Sequence, residues 1–488
     1  MAFTLSGGDV CQPTKPTPIP NPYWVAFSSA AAQLIDIPLD KSGLPLDSSW
    51  LEVLAGNQLS TSLQSFPNPI ATAYSGHQFG IWAGQLGDGR AILLGEIAGQ
   101  EIQIKGAGKT HYSRMGDGRA VLRSSIREFL CSEAMHNLGI PTTRALSVVG
   151  SKMPVLRETL ETAAVCSRLA PSFIRIGHFE HYSALQNISR LKELADLVIK
   201  DHFPNCLNAQ DPYLELFKNI SERNAILVAQ WQAVGFCHGV LNSDNISVLG
   251  LTMDYGPFGF LDHFQIDHIC NHSDQGGRYA YHRQPQIMHW NMACLASALL
   301  PLLEIHHDKN ESQTMLRLAL EEFPKIYAKT WQQLFRSKLG LQLSLEEDIT
   351  LIETLLQAMH ESRIDFTSFF RGLSKIDCHT KLEDVSVRDD FIDRNAIDRW
   401  FENYLSRLKQ EKISGQERSA RMNQVNPKFI LRNHLAQRAI EQAQNDDFSE
   451  IKKLLHILSL PFEEQPEYEP YAKPPSPNIH PIEVSCSS

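Results

Sequence analysis

The spacing of apolar residues changes once along the chain, near Pro171. Before it, short alternating runs predict strands at residues 91–97 and 101–105, joined by a turn at 98–100, and at 145–149, 153–158 and 164–169. A single long helical run, 121–138, interrupts them and ends at Gly139 and Pro141. Beyond Pro171, apolar residues recur at helical spacing in seven segments: 188–203, 213–234, 287–305, 312–339, 345–360, 397–410 and 429–445.

This order predicts an α+β fold with two lobes. Residues 1–170 would form an N-terminal arm and a small mixed sheet-plus-helix lobe, and residues 171–464 a large helical lobe. The segment 465–488 is rich in Pro and Glu and is predicted to be an extended or mobile tail.

Composition limits the function classes. A chain of 488 residues with 43% hydrophobic residues can bury a large core. Its net charge of −10 argues against nucleic-acid binding by broad phosphate neutralisation. The longest apolar run, 292–303, is too short to cross a bilayer, and nine cysteines without CxxC pairs are typical of reduced intracellular proteins. We therefore expect a cytoplasmic protein without a membrane or nucleic-acid partner; the sequence does not fix its oligomeric state, and a monomer is favoured.

One stretch carries the strongest chemical signal. His238-Gly-Val-Leu-Asn-Ser-Asp-Asn245, followed by Asp254-Tyr-Gly, resembles the catalytic loop and metal-binding DFG segment of protein kinases. The kinase base position is occupied by Val240, which cannot accept a proton, and a carboxylate stands instead at Asp244. The pattern predicts a metal site at Asn245 and Asp254 with a displaced proton acceptor at Asp244.

A lysine and a glutamate upstream complete the kinase-like pattern. Lys105 ends a predicted strand and Glu128 lies on the predicted helix after it, an arrangement in which the carboxylate orients an ammonium group toward phosphates. Taken singly, either residue is more often a solvated surface charge. Their joint occurrence with Asn245 and Asp254 favours the functional interpretation.

Other candidates share a flexible backbone or a positive charge. They are Gly87, Gly89 and Arg90 before the first strand, Asp117 and Gly118 before the helix, and Arg168 and Arg175 beside Pro171. Glycine turns let backbone N–H groups approach phosphates, and guanidinium groups bind them in pairs. Plain turns and solvent-exposed arginines remain open as alternatives for these residues.

A second loop offers zinc-ligand residue types. Asp262-His263, Asp267-His268, Cys270 and His272 lie close in sequence, but their spacing matches no closed zinc motif. We expect a polar loop beside the active site.

Longer motifs are similar to one family. Ser75-Gly-His-Gln-Phe-Gly80, Ile104-Lys-Gly-Ala-Gly108, and residues 112–129, reading Tyr-Ser-Arg-Met-Gly-Asp-Gly-Arg-Ala-Val-Leu-Arg-Ser-Ser-Ile-Arg-Glu-Phe, closely resemble the selenoprotein O (SelO, or YdiU) family. The resemblance implies a protein-kinase-like fold that binds ATP turned round relative to kinases and transfers AMP to Ser, Thr or Tyr hydroxyls of proteins.

The resemblance also implies roles for residues. Nucleotide contacts would come from Gly87, Gly89, Arg90, Lys105, Asp117, Gly118, Arg168, Arg175 and Asp254. Asp244 would accept the proton, and Asn245 and Asp254 would hold Mg²⁺, with Mn²⁺ as an alternative. Cys486 stands where eukaryotic members carry selenocysteine, and the resemblance suggests that it pairs with Cys270 in a disulfide.

Two rival functions use the same residues. One is a phosphotransferase with the usual nucleotide orientation. The other is a non-catalytic nucleotide-binding scaffold, which Val240 in the kinase base position suggests. The sequence does not indicate which proteins would be modified, or whether UTP would replace ATP.

Overall fold

The fold is that of a computed structural model, which describes residues 10–59, 68–476 and 482–485. The strands are β1 Cys11–Pro13, β2 Tyr23–Phe27, β3 Ile70–Thr72, β4 Ser75–Gln78, β5 Ile81–Gln85, β6 Ala91–Ile97, β7 Gln100–Lys105, β8 Ala120–Val121, β9 Arg144–Leu156, β10 Leu160–Ala170, β11 Phe236–Cys237 and β12 Gly259–Phe260. The helices are α1 Ser29–Ala32, α2 Ser49–Leu54, α3 Leu122–Asn137, α4 Ile176–Ala184, α5 Ile188–His202, α6 Pro212–Val234, α7 Gln284–Leu303, α8 Lys309–Leu320, α9 Glu322–Lys338, α10 Glu347–Ser362, α11 Phe366–Leu373, α12 Arg394–Leu408, α13 Gly415–Val425, α14 Asn433–Gln444, α15 Ser449–Ser459 and α16 Glu469–Ala472.

Eight strands form one antiparallel sheet before Pro171. Their order is β1-β3-β6-β7-β10-β9-β2, with β8 paired to β10. The predicted hairpin of residues 91–105 is confirmed, with Ala91 opposite Lys105. The prediction of two separate strands at 145–149 and 153–158 is wrong, because residues 145–156 belong to the single strand β9. Ser151, in the apparent break, is buried and donates its hydroxyl hydrogen to the Pro20 carbonyl, so the strand continues without an unsatisfied polar group.

Helix α3 packs on this sheet and places Glu128 behind Lys105. Its apolar side chains, including Ile126 and Phe129, are fully buried, and Gly139 follows its end with φ 77°. The observed bounds agree with the predicted run 121–138 to within one residue at each end. A left-handed glycine after the last turn is a common helix stop.

Helix α6 is the central helix of the second half and packs on α7, α8 and α9. Asp211 caps its first turn by accepting hydrogen bonds from two backbone N–H groups, and Gly235 ends it with φ 70°. The single helix predicted at 312–339 is wrong: α8 and α9 are separate. Pro324 has no N–H to donate to the carbonyl of Leu320, so the helical hydrogen bonding is broken there.

The described residues after Gln465 are more ordered than predicted. They form a 3₁₀ turn, Pro466–Tyr468, and the short helix α16, and both Tyr468 and Tyr471 pack against the main core. Farther on, Val484 pairs with Asn271 as a parallel bridge, and the backbone N–H of His272 donates to the Val484 carbonyl at 2.9 Å. The chain therefore returns to the loop that follows the candidate catalytic segment.

One stretch among the described residues, Tyr281–Leu303, is long and apolar enough to cross a membrane. It exceeds the run of 292–303 noted from the sequence, and 56% of its most apolar window is buried inside the protein. Core helices of soluble proteins have the same character, so its hydrophobicity is explained by packing against α4, α6 and α8.

Candidate active site

A cleft of about 740 Å³ brings together residues from distant parts of the chain. Every predicted nucleotide, metal and proton-acceptor residue lines it: Gly87, Gly89, Arg90, Lys105, Asp117, Gly118, Arg168, Arg175, Asp244, Asn245 and Asp254. In total, its walls carry six basic and four acidic side chains. An excess of positive charge in a concave site favours polyanionic ligands such as a triphosphate.

Lys105 is held by the carboxylate predicted to orient it. Its Nζ lies 2.7 Å from Oε2 of Glu128, whose second oxygen accepts a hydrogen bond from Arg168 at 2.9 Å. Burial alone would raise the pKa of Glu128, but the charges of Lys105 and Arg168 outweigh it and the pKa is lowered. Glu128 is thus a buried anion that fixes two cations of the cleft.

Asp254 is the electrostatic centre of the cleft. Its Oδ1 accepts from Arg168 at 2.6 Å and its Oδ2 from Arg175 at 2.5 Å, while Lys105 Nζ lies 3.9 Å away. Burial opposes its ionisation, yet Arg175 and Arg168 together hold its pKa well below the usual range. Asp254 also adopts φ 56°, a left-handed conformation that is uncommon outside glycine and typical of functional sites.

Arg168 and Arg175 are not the solvent-exposed residues of the alternative interpretation. They are 1% and 2% exposed. The Arg175 guanidinium also lies 4.7 Å from the centre of the Tyr74 ring and donates to the backbone carbonyl of Asp244 at 2.9 Å. This last bond ties the acidic loop to the cationic wall.

Asp244 has the environment of a proton acceptor. It lies in the 3₁₀ turn Ser243–Asn245 and is 5% exposed. Its Oδ2 accepts a long hydrogen bond of 3.3 Å from Gln78, and its Oδ1 has no hydrogen-bond partner among the described residues. Burial raises its pKa to about 6, against the opposing effect of Arg175. A carboxylate with a free buried oxygen and a pKa near neutrality is suited to general base catalysis.

The donor set fits a hard divalent cation. Asn245 donates through its amide nitrogen to the Val240 carbonyl at 3.1 Å, which leaves its amide oxygen for another partner. Asp254 supplies a carboxylate that stays ionised, and both residues line the same cleft. Carboxylate and amide oxygens are ligand types that Mg²⁺ accepts.

The glycine turns have a steric requirement of their own. A Cβ on Gly87 would lie 2.4 Å from the Tyr112 ring, and one on Gly118 would lie 2.1 Å from the Gly108 carbonyl oxygen. Tight backbone packing therefore accounts for these glycines, and their position on the cleft wall adds backbone groups to the site.

The chain matches known proteins over its whole length. A family model described as protein adenylyltransferase SelO covers residues 6–459. Proteins named protein nucleotidyltransferase YdiU from Burkholderia ambifaria (strain MC40-6) and Burkholderia lata are 51% and 52% identical over 499 residues, covering 100% of this chain and 95% of theirs. The Burkholderia multivorans protein of that name is 52% identical over 483 residues, covering 96% and 92%.

The chain belongs to the SelO family.

It is a nucleotidyltransferase, as the family description and the names of these relatives agree.

Several residues of the SelO-family cleft were assigned no role from the sequence. Arg157 forms two bonds of 2.8 and 3.0 Å with Asp117, whose side chain is 45% exposed at the rim. Gln78 reaches Asp244, and Tyr74 lies under Arg175. No spacing rule identifies them, because each acts through contacts with residues far away in sequence.

The loop with zinc-ligand residue types forms no metal cluster among the residues that the structure describes. Asp262 instead accepts a hydrogen bond from Arg432 at 2.6 Å. Cys270 lies outside the cleft, and its Sγ donates to the Cys237 carbonyl at 3.4 Å. Cys486 lies outside the described residues, so its predicted pairing with Cys270 stays a prediction.

Proposed function

We propose that this nucleotidyltransferase moves AMP from ATP to Ser, Thr or Tyr hydroxyls of proteins and releases pyrophosphate. The observation that carries the proposal is Asp244: a buried carboxylate with one unpartnered oxygen on the wall of a cleft rich in cations. The family description, protein adenylyltransferase, supports both ATP as the donor and protein as the acceptor.

Asp244 would take the proton of the attacking hydroxyl on Oδ1. With a pKa of about 6 it is mostly ionised at neutral pH and still basic enough to compete for a proton. Gln78 and the backbone contact with Arg175 would hold it in place during the transfer.

The cations would bind the phosphates and stabilise the charge that develops as pyrophosphate leaves. Lys105 and Arg168 are held in the cleft by Glu128, and Arg168 and Arg175 also contact Asp254, so the cations are placed at the site before a ligand binds. Asn245 and Asp254 would hold Mg²⁺, or Mn²⁺ in its place. When bound, such an ion neutralises phosphate charge and orients the nucleotide.

We extend the proposal to architecture and location. The sheet with α3 and the helices after Pro171 are consistent with the two lobes of a protein-kinase-like fold, with boundaries at 170 and 464. The family resemblance suggests that ATP is turned round relative to kinases, which would expose the α-phosphorus to the hydroxyl. We propose further that the protein is a cytoplasmic monomer and has neither a membrane nor a nucleic-acid partner.

Redox regulation is part of the proposal. The pairing of Val484 with Asn271 brings the chain to within two residues of Cys486 on one side and one residue of Cys270 on the other. Cys270 in turn packs on the loop that holds Asp244, because a Cβ on Gly239 would lie 2.7 Å from its Sγ. Mass spectrometry of the oxidised, non-reduced protein should find a peptide joining Cys270 to Cys486; two free thiols would remove the idea.

The transfer is tested by incubating the protein with ATP labelled at the α or the γ position, in the presence of Mg²⁺. The expected result is α label in protein, lost in Asp254→Ala and Asp244→Asn and kept in Asp267→Asn, a control at an exposed carboxylate outside the cleft.

The rival functions predict other outcomes. Label from the γ position alone would establish a phosphotransferase and refute AMP transfer. Nucleotide binding without label from either position, with a panel of Ser, Thr and Tyr protein acceptors, would favour the non-catalytic scaffold.

A further inference from the structure

Three side chains of types that bind metals meet close to the Asp244 loop. They are His77 on β4, Glu180 on α4 and Cys294 on α7, and one ligand atom of each lies within 4.8 Å of the other two. None belongs to the cleft. They come from three elements separated by about a hundred residues each, so no single sequence motif contains all three.

The distances suit a small ion. In tetrahedral zinc sites the bonds to nitrogen, oxygen and sulfur are about 2.0 to 2.3 Å, which separates the ligand atoms by about 3.3 to 3.8 Å. Nδ1 of His77 and Oε1 of Glu180 are already 2.8 Å apart. Side-chain movements of a few tenths of an ångström to about one ångström would therefore bring the ligand atoms of His77, Glu180 and Cys294 around one ion.

The carboxylate is incompletely satisfied by the protein. Glu180 is 4% exposed, and burial raises its pKa against the opposing effect of the nearby Ser243 hydroxyl; its Oε2 has no partner within hydrogen-bond distance among the described residues. A buried carboxylate oxygen without a partner is costly, and such groups usually have an unseen ligand. Oε2 of Glu180 is therefore available to a ligand beside it.

The site lies beside a cavity, and its ligand types favour one class of metal ions. A cavity of about 420 Å³ is lined by all three ligands together with Trp82, Trp290 and Ser183. Imidazole with thiolate favours zinc, cobalt and similar ions over Mg²⁺. With Glu180 and a Cys294 thiolate, a divalent ion would form a neutral centre, compatible with the Arg278 guanidinium that lies 4.8 Å from the Trp290 ring.

We propose that His77, Glu180 and Cys294 form a binding site for a zinc-class transition-metal ion, with a fourth position open to the cavity. The ion would replace the proton that His77 and Glu180 share and the proton of the Cys294 thiol. These protons pass to solvent.

The position of the site gives it a structural consequence. The backbone N–H of His77 donates to the Ser243 hydroxyl at 2.8 Å, and the next residue, Gln78, donates to Asp244. An ion on His77 would therefore fix strand β4 against the loop that carries the proposed proton acceptor.

Cobalt titration of the full-length reduced protein tests the site. Co²⁺ bound to a thiolate gives an intense near-ultraviolet charge-transfer band, which oxygen ligands such as Asn245 and Asp254 do not. We expect the band to saturate at one ion per chain, to disappear when Zn²⁺ is added, and to persist in Asp254→Asn.

Cys294→Ser should abolish the band, and Glu180→Gln should weaken Co²⁺ binding at least tenfold. Cys378→Ser, at a partly buried cysteine packed elsewhere, is the matched control and should keep the band. Circular dichroism verifies that each variant is folded. Absence of the band in the wild-type protein at saturating Co²⁺, or its survival in folded Cys294→Ser, would overturn the proposal.

Discussion

Replacing Asp244 by Asn should make the protein more stable while it removes the proposed base. Burial raises the pKa of Asp244 to about 6 from the ordinary 3.8, so the folded protein binds this proton more tightly than the unfolded chain does. The bound proton stabilises the folded state fully below the pKa that Asp244 has in the unfolded chain. This stabilisation is lost as the pH rises through the pKa that Asp244 has in the folded protein. At neutral pH the ionised carboxylate therefore opposes folding.

The magnitude follows from that pKa difference. A pKa of about 6 in place of 3.8 corresponds to about 3 kcal/mol once the pH exceeds both values. In the variant, the asparagine amide at the position of the unpartnered Oδ1 is also an unsatisfied polar group. It lowers the free energy of unfolding by about 1 kcal/mol and so offsets part of this gain. Asp244→Asn should thus raise the free energy of unfolding by about 2 kcal/mol at about pH 8. At about pH 5 this increase should be smaller by about 1.5 kcal/mol.

Urea unfolding followed by tryptophan fluorescence measures this difference. Wild type, Asp244→Asn and the exposed control Asp267→Asn are compared at several pH values between about 5 and 8. The control should change the free energy of unfolding by much less than Asp244→Asn does at about pH 8, because its carboxylate is exposed. An Asp244→Asn protein that is no more stable than wild type at every pH would refute the assignment of Asp244 as a destabilised, functionally retained carboxylate.

Three more predictions concern the cleft. Asp254→Ala should lower the free energy of unfolding by about 3 kcal/mol, since Arg175 is left buried without its carboxylate, whereas Asp254→Asn should cost about 1 kcal/mol; equal urea midpoints for the two variants would contradict this. Incorporation of α label should fall about tenfold per pH unit below about pH 6 as Asp244 becomes protonated; a rate unchanged down to about pH 5 would exclude it as the base. Gly118→Ala should weaken ATP binding at least tenfold in calorimetry, because the added Cβ would lie 2.1 Å from the Gly108 carbonyl oxygen at a φ of 70° and so displace the turn; wild-type affinity would argue that this turn does not contact the nucleotide.

Local patterns in the sequence were enough to find the longer helices and four strands of the main sheet, because periodicity and stop signals are local. The hairpin of β6 and β7 and helix α3 are examples. Most short strands and several helices of the structure, by contrast, were not predicted. The errors arose where one residue outweighed the pattern: Ser151 is accommodated within β9, and Pro324 separates α8 from α9.

The candidate site was predictable to the extent that its residues lie in continuous motifs. Lys105, Asp244 and Asp254 all line the cleft as expected. Arg157 was not identified, and Gln78, although it lies in the motif of residues 75–80, was given no role, since the importance of both depends on contacts across the fold. The same limit explains why zinc-type ligands were sought in residues 262–272, where they are close in sequence, rather than at residues 77, 180 and 294, where they are close in space.

In the cleft, the bonds from Arg168 and Arg175 to Asp254 pair positive charge with negative charge. A triphosphate alone would compete with Asp254 for the arginines and leave that carboxylate facing phosphate oxygens. A cation alone would take Asp254 from both arginines, which leaves Arg168 with Glu128 and Arg175 without the carboxylate that it contacts. Each ligand therefore removes the obstacle to the other, and by linkage the two should bind with positive cooperativity, each raising the affinity for the other by the same factor.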